Sequence, residues 1–120
     1  MALDQTALNE LRALDPDGSC GLLAQIIAAY LQDTPNLIRQ IEAALAANDI
    51  EALTRSAHSL KSTCMSLGVT RVSQIARDIE FAGKSNSLAG CSSLLAALTA
   101  EYAAAELLLQ AECAAVQRPK

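Results

Sequence analysis

Aromatic rings and long apolar runs are scarce in this sequence. Hydrophobic residues make up 52% of its 120 residues but aromatic residues only 2%. A core must therefore be built from Leu, Ile, Val and Ala, whose small side chains favour closely packed helices. No apolar run approaches the roughly 20 residues that cross a bilayer, and residues 1–4 lack the basic and apolar regions of a signal peptide. We therefore expect a soluble, cytoplasmic protein without membrane insertion.

Positive charge and metal-binding patterns are also lacking. The formal net charge is −4 and the sequence has no block of Lys and Arg, which argues against nucleic-acid binding, since that binding relies on neutralising phosphates. The four cysteines, Cys20, Cys64, Cys91 and Cys113, form no C-x-x-C pair, and the chain has one histidine. A zinc site has little support, so we expect reduced, structural thiols and no bound metal. A protein partner or a small ligand remains.

The first part of the chain predicts one short helix. Between Asp4 and Leu14, Leu8 and Leu11 have helical spacing, and a turn-forming cluster at residues 15–18 follows. At this length the chain fits one domain over residues 1–120, which can bury roughly two thirds of its unfolded surface.

The rest of the chain predicts long amphipathic helices, and no segment has a convincing period of two. Apolar residues recur at three- and four-residue steps from Leu22 to Leu31, with Ser19 as a cap. Asp33-Thr34-Pro35 then predicts a new helix start, with Thr34 as N-cap and Pro35 as first helical residue. Further helices are predicted from Thr34 to Asn48, Ile50 to Leu67, Val69 to Gly83 and about Ser92 to Ala115. The expected fold class is all-α: an antiparallel up-down four-helix bundle with a short additional N-terminal helix as a lid.

The single histidine, His58, is predicted to face solvent. The apolar positions of its helix cluster on one arc, and His58 lies roughly 140° from the centre of that arc at about 100° per residue. A lone histidine is more often structural or incidental than functional. Its neighbours one turn away strengthen a functional interpretation: Thr54, Lys61, Ser62 and Met65 share its face.

Lys61 and Ser62 would suit a phosphorylated imidazole. A phosphate adds nearly two negative charges, which Lys61 can partly offset, and the small Ser62 leaves room for another protein to approach the ring nitrogen. The alternative is an ordinary solvated helix face, which spacing alone does not exclude.

The string from Ala57 to Thr63, AHSLKST, followed by Leu67-Gly68, closely resembles the A-H-x-L-K-G-S…L-G signature of histidine-containing phosphotransfer (HPt) domains. The resemblance extends over nearly the whole chain. It implies a four-helix bundle whose exposed histidine takes a phosphoryl group from one receiver-domain aspartate and passes it to another. It assigns His58 as phospho-acceptor and Lys61 as charge partner. Ser62 replaces the family's glycine, and we expect docking to survive because serine is still small.

The resemblance also implies partners: receiver domains of response regulators, of a hybrid sensor kinase, or of both. We expect docking on a largely apolar patch around His58. The docking candidates are Ser62, Met65, Thr54, Leu8 and Leu11, with Glu80 and Lys84 as weaker candidates because the following helix would run past His58 there.

No acidic pair and no glycine-rich nucleotide loop lies beside His58 in the sequence. We therefore expect a phosphocarrier without independent kinase activity. This chain would bind no cofactor, and Mg²⁺, which prefers clustered carboxylates, would be supplied at the partner receiver domain.

Two other classes of function are alternatives. A non-catalytic helical interaction module would bind a partner without phosphoryl transfer, but such a module would not need His58 and Lys61. A hydrolytic or metal enzyme has almost no support, because the sequence has one histidine and no Ser/Asp/His or Cys/His constellation at usable spacing.

Overall fold

The computed structural model of the chain describes residues 3–15, 17 and 21–117, with side chains as far as Glu112. Within these residues the chain forms helices only. In chain order they are α1 (Gln5–Ala13), α2 (Leu22–Ala46), α3 (Ile50–Ser66), α4 (Thr70–Lys84) and α5 (Cys91–Gln117). The predicted all-α fold class is confirmed.

The four long helices pack as an antiparallel bundle around one core. α2 packs against α3 and α5, and α4 packs against the same two helices. Short connections at residues 47–49, 67–69 and 85–90 join consecutive helices, which therefore run in opposite directions. The short α1 packs on α2 and α3, as expected for a lid.

α1 is attached to the bundle at both ends. Asp4 caps the helix by accepting a hydrogen bond from the Thr6 amide at 3.0 Å, and its own amide donates to the Gly68 carbonyl at 2.8 Å. Gly68 has a φ of 72°, and a Cβ there would collide with the Asp4 backbone, so this turn requires glycine. At the other end, Arg12 forms an ion pair with Glu112 of α5 at 2.7 Å.

The predicted helix start at Thr34-Pro35 is wrong, because α2 continues through both residues. Thr34 is completely buried and caps nothing. The buried residues of α2 keep helical spacing across Pro35 without a phase change, at positions 23, 24, 27, 30, 34, 38, 41 and 44. A continuous apolar stripe outweighs the local signal of one proline. Asp15 accepts from the Leu22 amide at 3.1 Å at the actual start of α2, and the predicted cap Ser19 lies outside the described residues.

A tertiary contact explains how α2 accommodates Pro35. Proline has no amide hydrogen, so the carbonyl of Leu31 loses its partner within the helix. The hydroxyl of Tyr102, on α5, donates to this carbonyl at 3.5 Å. The missing backbone hydrogen bond is therefore replaced by one from the neighbouring helix.

The buried stripe predicted for α3 is confirmed. Asp49 caps this helix by accepting from the Ala52 amide at 3.1 Å. The side chains that α3 and the following turn bury are Leu53, Ala57, Leu60, Cys64 and Leu67. α4 extends to Lys84, one residue past the predicted end at Gly83, so Gly83 lies within the helix.

Within the described residues, one segment, Cys91–Glu112 of α5, is long and apolar enough to cross a membrane by length and composition. The sequence predicted no such segment, because Glu101 and Glu106 interrupt the apolar run. The same helix contributes buried side chains to the core, namely Cys91, Leu98, Tyr102, Ala105 and Leu109. Composition of this kind also suits a core helix and is weak evidence for membrane contact.

Cys64 and Cys91 are buried free thiols, as expected for structural cysteines. Burial raises the pKa of the Cys64 thiol to about 12, and a hydrogen bond with Tyr30 opposes this rise. Cys20 and the side chain of Cys113 lie outside the described residues.

Candidate functional site

His58 lies on the outer face of α3, with 58% of its side chain exposed. Ala57 and Leu60 on the same helix are completely buried, so core packing fixes the rotation of α3 and turns His58 outward. The prediction that His58 faces solvent is confirmed.

A buried carboxylate from α4 holds the imidazole. Oε2 of Glu80 lies 2.7 Å from Nδ1 of His58, and Oε1 lies 2.7 Å from Nζ of Lys61. Nζ of Lys84 is 3.4 Å from Oε2. Only 6% of the Glu80 side chain is exposed, so one carboxylate joins the histidine to two lysines.

The charge state of Glu80 follows from these contacts. Burial by itself raises the pKa of this carboxyl group. Hydrogen bonds from Lys61 and His58 and the positive charges of Lys61 and Lys84 outweigh that effect and lower the pKa from 4.5 to about 2. Glu80 is therefore ionised near neutral pH and can only accept hydrogen bonds.

An acceptor at Nδ1 sets the tautomer of the neutral ring. Because ionised Glu80 cannot donate, the proton of neutral His58 must reside on Nδ1. Nε2 then carries the free lone pair, and among the described residues it has no hydrogen-bond partner. An exposed imidazole with a free Nε2 can act as a nucleophile toward a group brought by another molecule.

Lys61 and Lys84 differ in exposure. The side chain of Lys61 is 24% exposed and that of Lys84 is 65% exposed. Lys61 was predicted as the charge partner of a phosphate on His58, and in the structure its ammonium group lies 2.7 Å from Oε1 of Glu80. Lys84, offered only as a weaker candidate, belongs to the same network.

The docking candidates divide into surface and buried residues. Ser62 is exposed, and Met65 is 63% exposed. Leu11 is half-buried and lines a groove between α2 and α3 together with Ser62. Thr54 is half-buried, and its hydroxyl donates to the Ile50 carbonyl at 2.8 Å.

The prediction that Leu8 contributes to a docking surface is wrong. Its side chain is completely buried in the core. The spacing of Leu8 and Leu11 defined the face of α1, but it did not show which of the two residues faces the bundle.

Glu80 was only a weaker candidate from the sequence, and Arg55 was not predicted at all. Arg55 lines a shallow depression around His58. A signal for Glu80 was present: it continues the buried stripe of α4, which a charge enters only with partners.

An all-α bundle that presents an exposed histidine, with Nδ1 against a buried carboxylate, suits a histidine phosphotransfer module. Comparison with known proteins identifies the family. Residues 25–117 match the family model of the Hpt domain, and the chain belongs to this family.

One curated protein and one solved structure are similar to this chain. The chain is 27% identical over 104 residues to histidine-containing phosphotransfer protein 2 of Arabidopsis thaliana, a match that covers 84% of this chain and 67% of the relative. The crystal structure of histidine-containing phosphotransfer protein B (HptB) from Pseudomonas aeruginosa has the same fold, with a TM-score of 0.84 and 23% identity. That match covers 92% of this chain and 93% of the other. Family membership supports a phosphotransfer role in two-component signalling.

Proposed function

We propose that this chain is a phosphorelay intermediate. His58 accepts a phosphoryl group from the aspartate of one receiver domain and passes it to another receiver. The observation that carries the proposal is the combination of an exposed His58 ring, 58% accessible, with a Glu80 carboxylate 2.7 Å from Nδ1. Exposure admits the partner, and the carboxylate leaves the lone pair on Nε2.

The transfer step needs no proton movement on this chain. Nε2 of His58 forms a bond to phosphorus while the bond between phosphorus and the aspartyl oxygen breaks, and the aspartate leaves as a carboxylate. The ring keeps its Nδ1 proton and gains positive charge. The Glu80 carboxylate at 2.7 Å offsets this charge. The same step in reverse, with the aspartate of the second receiver as nucleophile, delivers the phosphoryl group to that receiver.

The two lysines offset the charge of the phosphate on His58. This charge of nearly −2 favours nearby cations, and Nζ of Lys61 and Nζ of Lys84 lie 2.7 and 3.4 Å from the Glu80 carboxylate that also contacts His58. We assign Lys61 as the principal charge partner and the more exposed Lys84 as a second one. Ser62 and Met65 belong to the surface that meets the receiver.

The partner supplies the rest of the machinery. An acidic pocket with Mg²⁺ on the receiver domain would activate the aspartyl phosphate, and this chain would act as a phosphocarrier without its own kinase activity. The proposed location is the cytoplasm, where response regulators and the receiver domains of hybrid sensor kinases meet it.

The experiment follows a labelled phosphoryl group. The purified chain is mixed with phosphorylated candidate receivers, and the label is traced onto the chain and then onto a second, unphosphorylated receiver. His58→Gln should fold normally, because the residue is exposed, and should take up no label. Label on His58→Gln at the wild-type level would refute the proposal. Transfer to the chain without onward transfer would contradict the role of intermediate.

A further inference from the structure

α3 and α4 make a close contact beside His58, where Gly83 packs on Thr54. A Cβ atom at Gly83 would overlap the hydroxyl oxygen of Thr54 and would lie 3.4 Å from its Cβ and 3.6 Å from its Cα. Thr54 is one helical turn before His58, and Gly83 is one turn after Glu80. The two contacts therefore occupy adjacent turns of the same interface between antiparallel helices.

The backbone of α4 does not require glycine at this position. Gly21 and Gly68 are the glycines with positive φ in the described residues, and Gly83 has an ordinary helical conformation. Glycine is a poor helix former compared with alanine, so local structure favours a larger residue. The absence of a side chain matters here because it makes room for Thr54.

Thr54 cannot easily move away. Its hydroxyl donates to the Ile50 carbonyl at 2.8 Å, and a threonine in a helix has few allowed side-chain rotamers. An added methyl group at Gly83 must therefore either break this hydrogen bond or push α4 away from α3. The opposite side of the interface is also held, because the Ser73 hydroxyl donates to the Lys61 carbonyl at 3.4 Å.

We propose that Gly83 is a positioning residue, whose contact with Thr54 sets the spacing of α3 and α4 that keeps Glu80 within hydrogen-bond distance of His58. A hydrogen bond weakens steeply outside a narrow distance range, so a small displacement of α4 would release Nδ1. The expected effect on phosphoryl transfer rests on the proposed function, whereas the expected effect on the tautomer of His58 does not.

The test measures the imidazole and the transfer rate in parallel. The ¹⁵N chemical shifts of His58, recorded where the ring is neutral, report the fraction of the ring protonated at Nδ1. Gly83→Ala should lower this fraction and slow phosphoryl transfer roughly tenfold or more, since misplacement by about 1 Å can cost on the order of 100-fold. Gly90→Ala is the matched control, because a Cβ there meets nothing within 4 Å. Gly90→Ala should change neither the fraction of the ring protonated at Nδ1 nor the rate of phosphoryl transfer.

A Thr54→Ala background distinguishes an effect on the contact between Gly83 and Thr54 from a general loss of stability. In Thr54→Ala the obstructing hydroxyl is gone, so adding Gly83→Ala should change the tautomer fraction and transfer rate little relative to Thr54→Ala alone. Should Gly83→Ala alone fail to fold, the double variant must still fold and show the Thr54→Ala tautomer fraction. Equal losses from Gly83→Ala in both backgrounds, or no loss in either, would overturn the inference. Wild-type protein that receives no phosphoryl group would instead refute the proposed function and leave the tautomer result standing.

Discussion

Glu80 connects the proposed nucleophile with its charge environment. The same carboxylate contacts Nδ1 of His58 through Oε2 and Nζ of Lys61 through Oε1, each at 2.7 Å. One contact fixes the tautomer of the ring, and the other holds a cation close to it. Removing the charge of Glu80 without changing its shape separates these effects from packing.

Glu80→Gln should slow phosphoryl transfer to His58 roughly tenfold or more, because the carboxylate that holds the tautomer and orientation of the imidazole is lost. The amide no longer requires the proton on Nδ1, and it offsets no positive charge on the ring. Transfer rates from a phosphorylated receiver measure the effect. Asp78→Asn, which removes an exposed charge from the same helix, is the control. Equal rates for Glu80→Gln and wild type would show that the carboxylate is dispensable.

The low pKa of Glu80 also predicts a pH-dependent contribution to stability. Because the pKa falls from 4.5 to about 2 on folding, ionised Glu80 stabilises the folded state above about pH 4.5, and this contribution is lost as the pH falls toward 2. Its upper bound is about 3 kcal/mol. Denaturant unfolding of wild type and Glu80→Gln should give a stability difference that shrinks between pH 5 and 2. A pH-independent difference would contradict the assigned pKa.

The sequence predicted the exposure of His58 but not the atom that holds its ring. Exposure follows from the angular position of one residue on its own helix, which spacing determines. The contact with Glu80 depends on how α4 is rotated and shifted against α3, and that depends on tertiary features such as Gly83 beside Thr54. The same limit explains Leu8, whose burial was decided by the way α1 docks on the bundle.

At the scale of helices, Pro35 shows why a local signal failed. Thr34-Pro35 has the residues of a helix start, yet α2 runs without interruption from Leu22 to Ala46. The deciding features were a continuous buried stripe and a hydroxyl from α5 at the free Leu31 carbonyl. The second feature joins residues that are far apart in sequence, so no local pattern could reveal it. The other three long helices were predicted to within about two residues at their described ends.

Tyr102→Phe tests this account of α2. It removes the hydroxyl that donates to Leu31 at 3.5 Å and should lower the free energy of unfolding by about 0.5 to 1 kcal/mol. In a Pro35→Ala background residue 35 regains its amide hydrogen, so the same substitution should cost less. Chemical denaturation of the four proteins gives the coupling. Equal costs in the two backgrounds would show that Tyr102 does not compensate for Pro35.

For the whole molecule, the proposed function requires the surface around His58 to bind another protein. Ser62 is exposed one turn beyond His58, at the position where the resembling signature has glycine, and size there should matter more than polarity. Ser62→Gly should keep or improve receiver binding and transfer, although glycine inside a helix costs about 0.5 to 1 kcal/mol relative to alanine. Ser62→Trp should block binding while its circular dichroism spectrum remains native. If Ser62→Trp bound and transferred like wild type, docking would use another face, and the interaction-module alternative would gain support.

The central claim is that phosphate resides on Nε2 of His58, and its most direct test identifies the bonded atom. After phosphorylation by a receiver, ³¹P and ¹⁵N NMR of the labelled chain should show phosphorus bonded to Nε2, with Nδ1 still protonated against Glu80. The phosphoryl group should be labile in acid and stable in base, as expected for a phosphoramidate. An acid-stable label, or phosphorus bonded to Nδ1 or to any residue other than His58, would contradict the account.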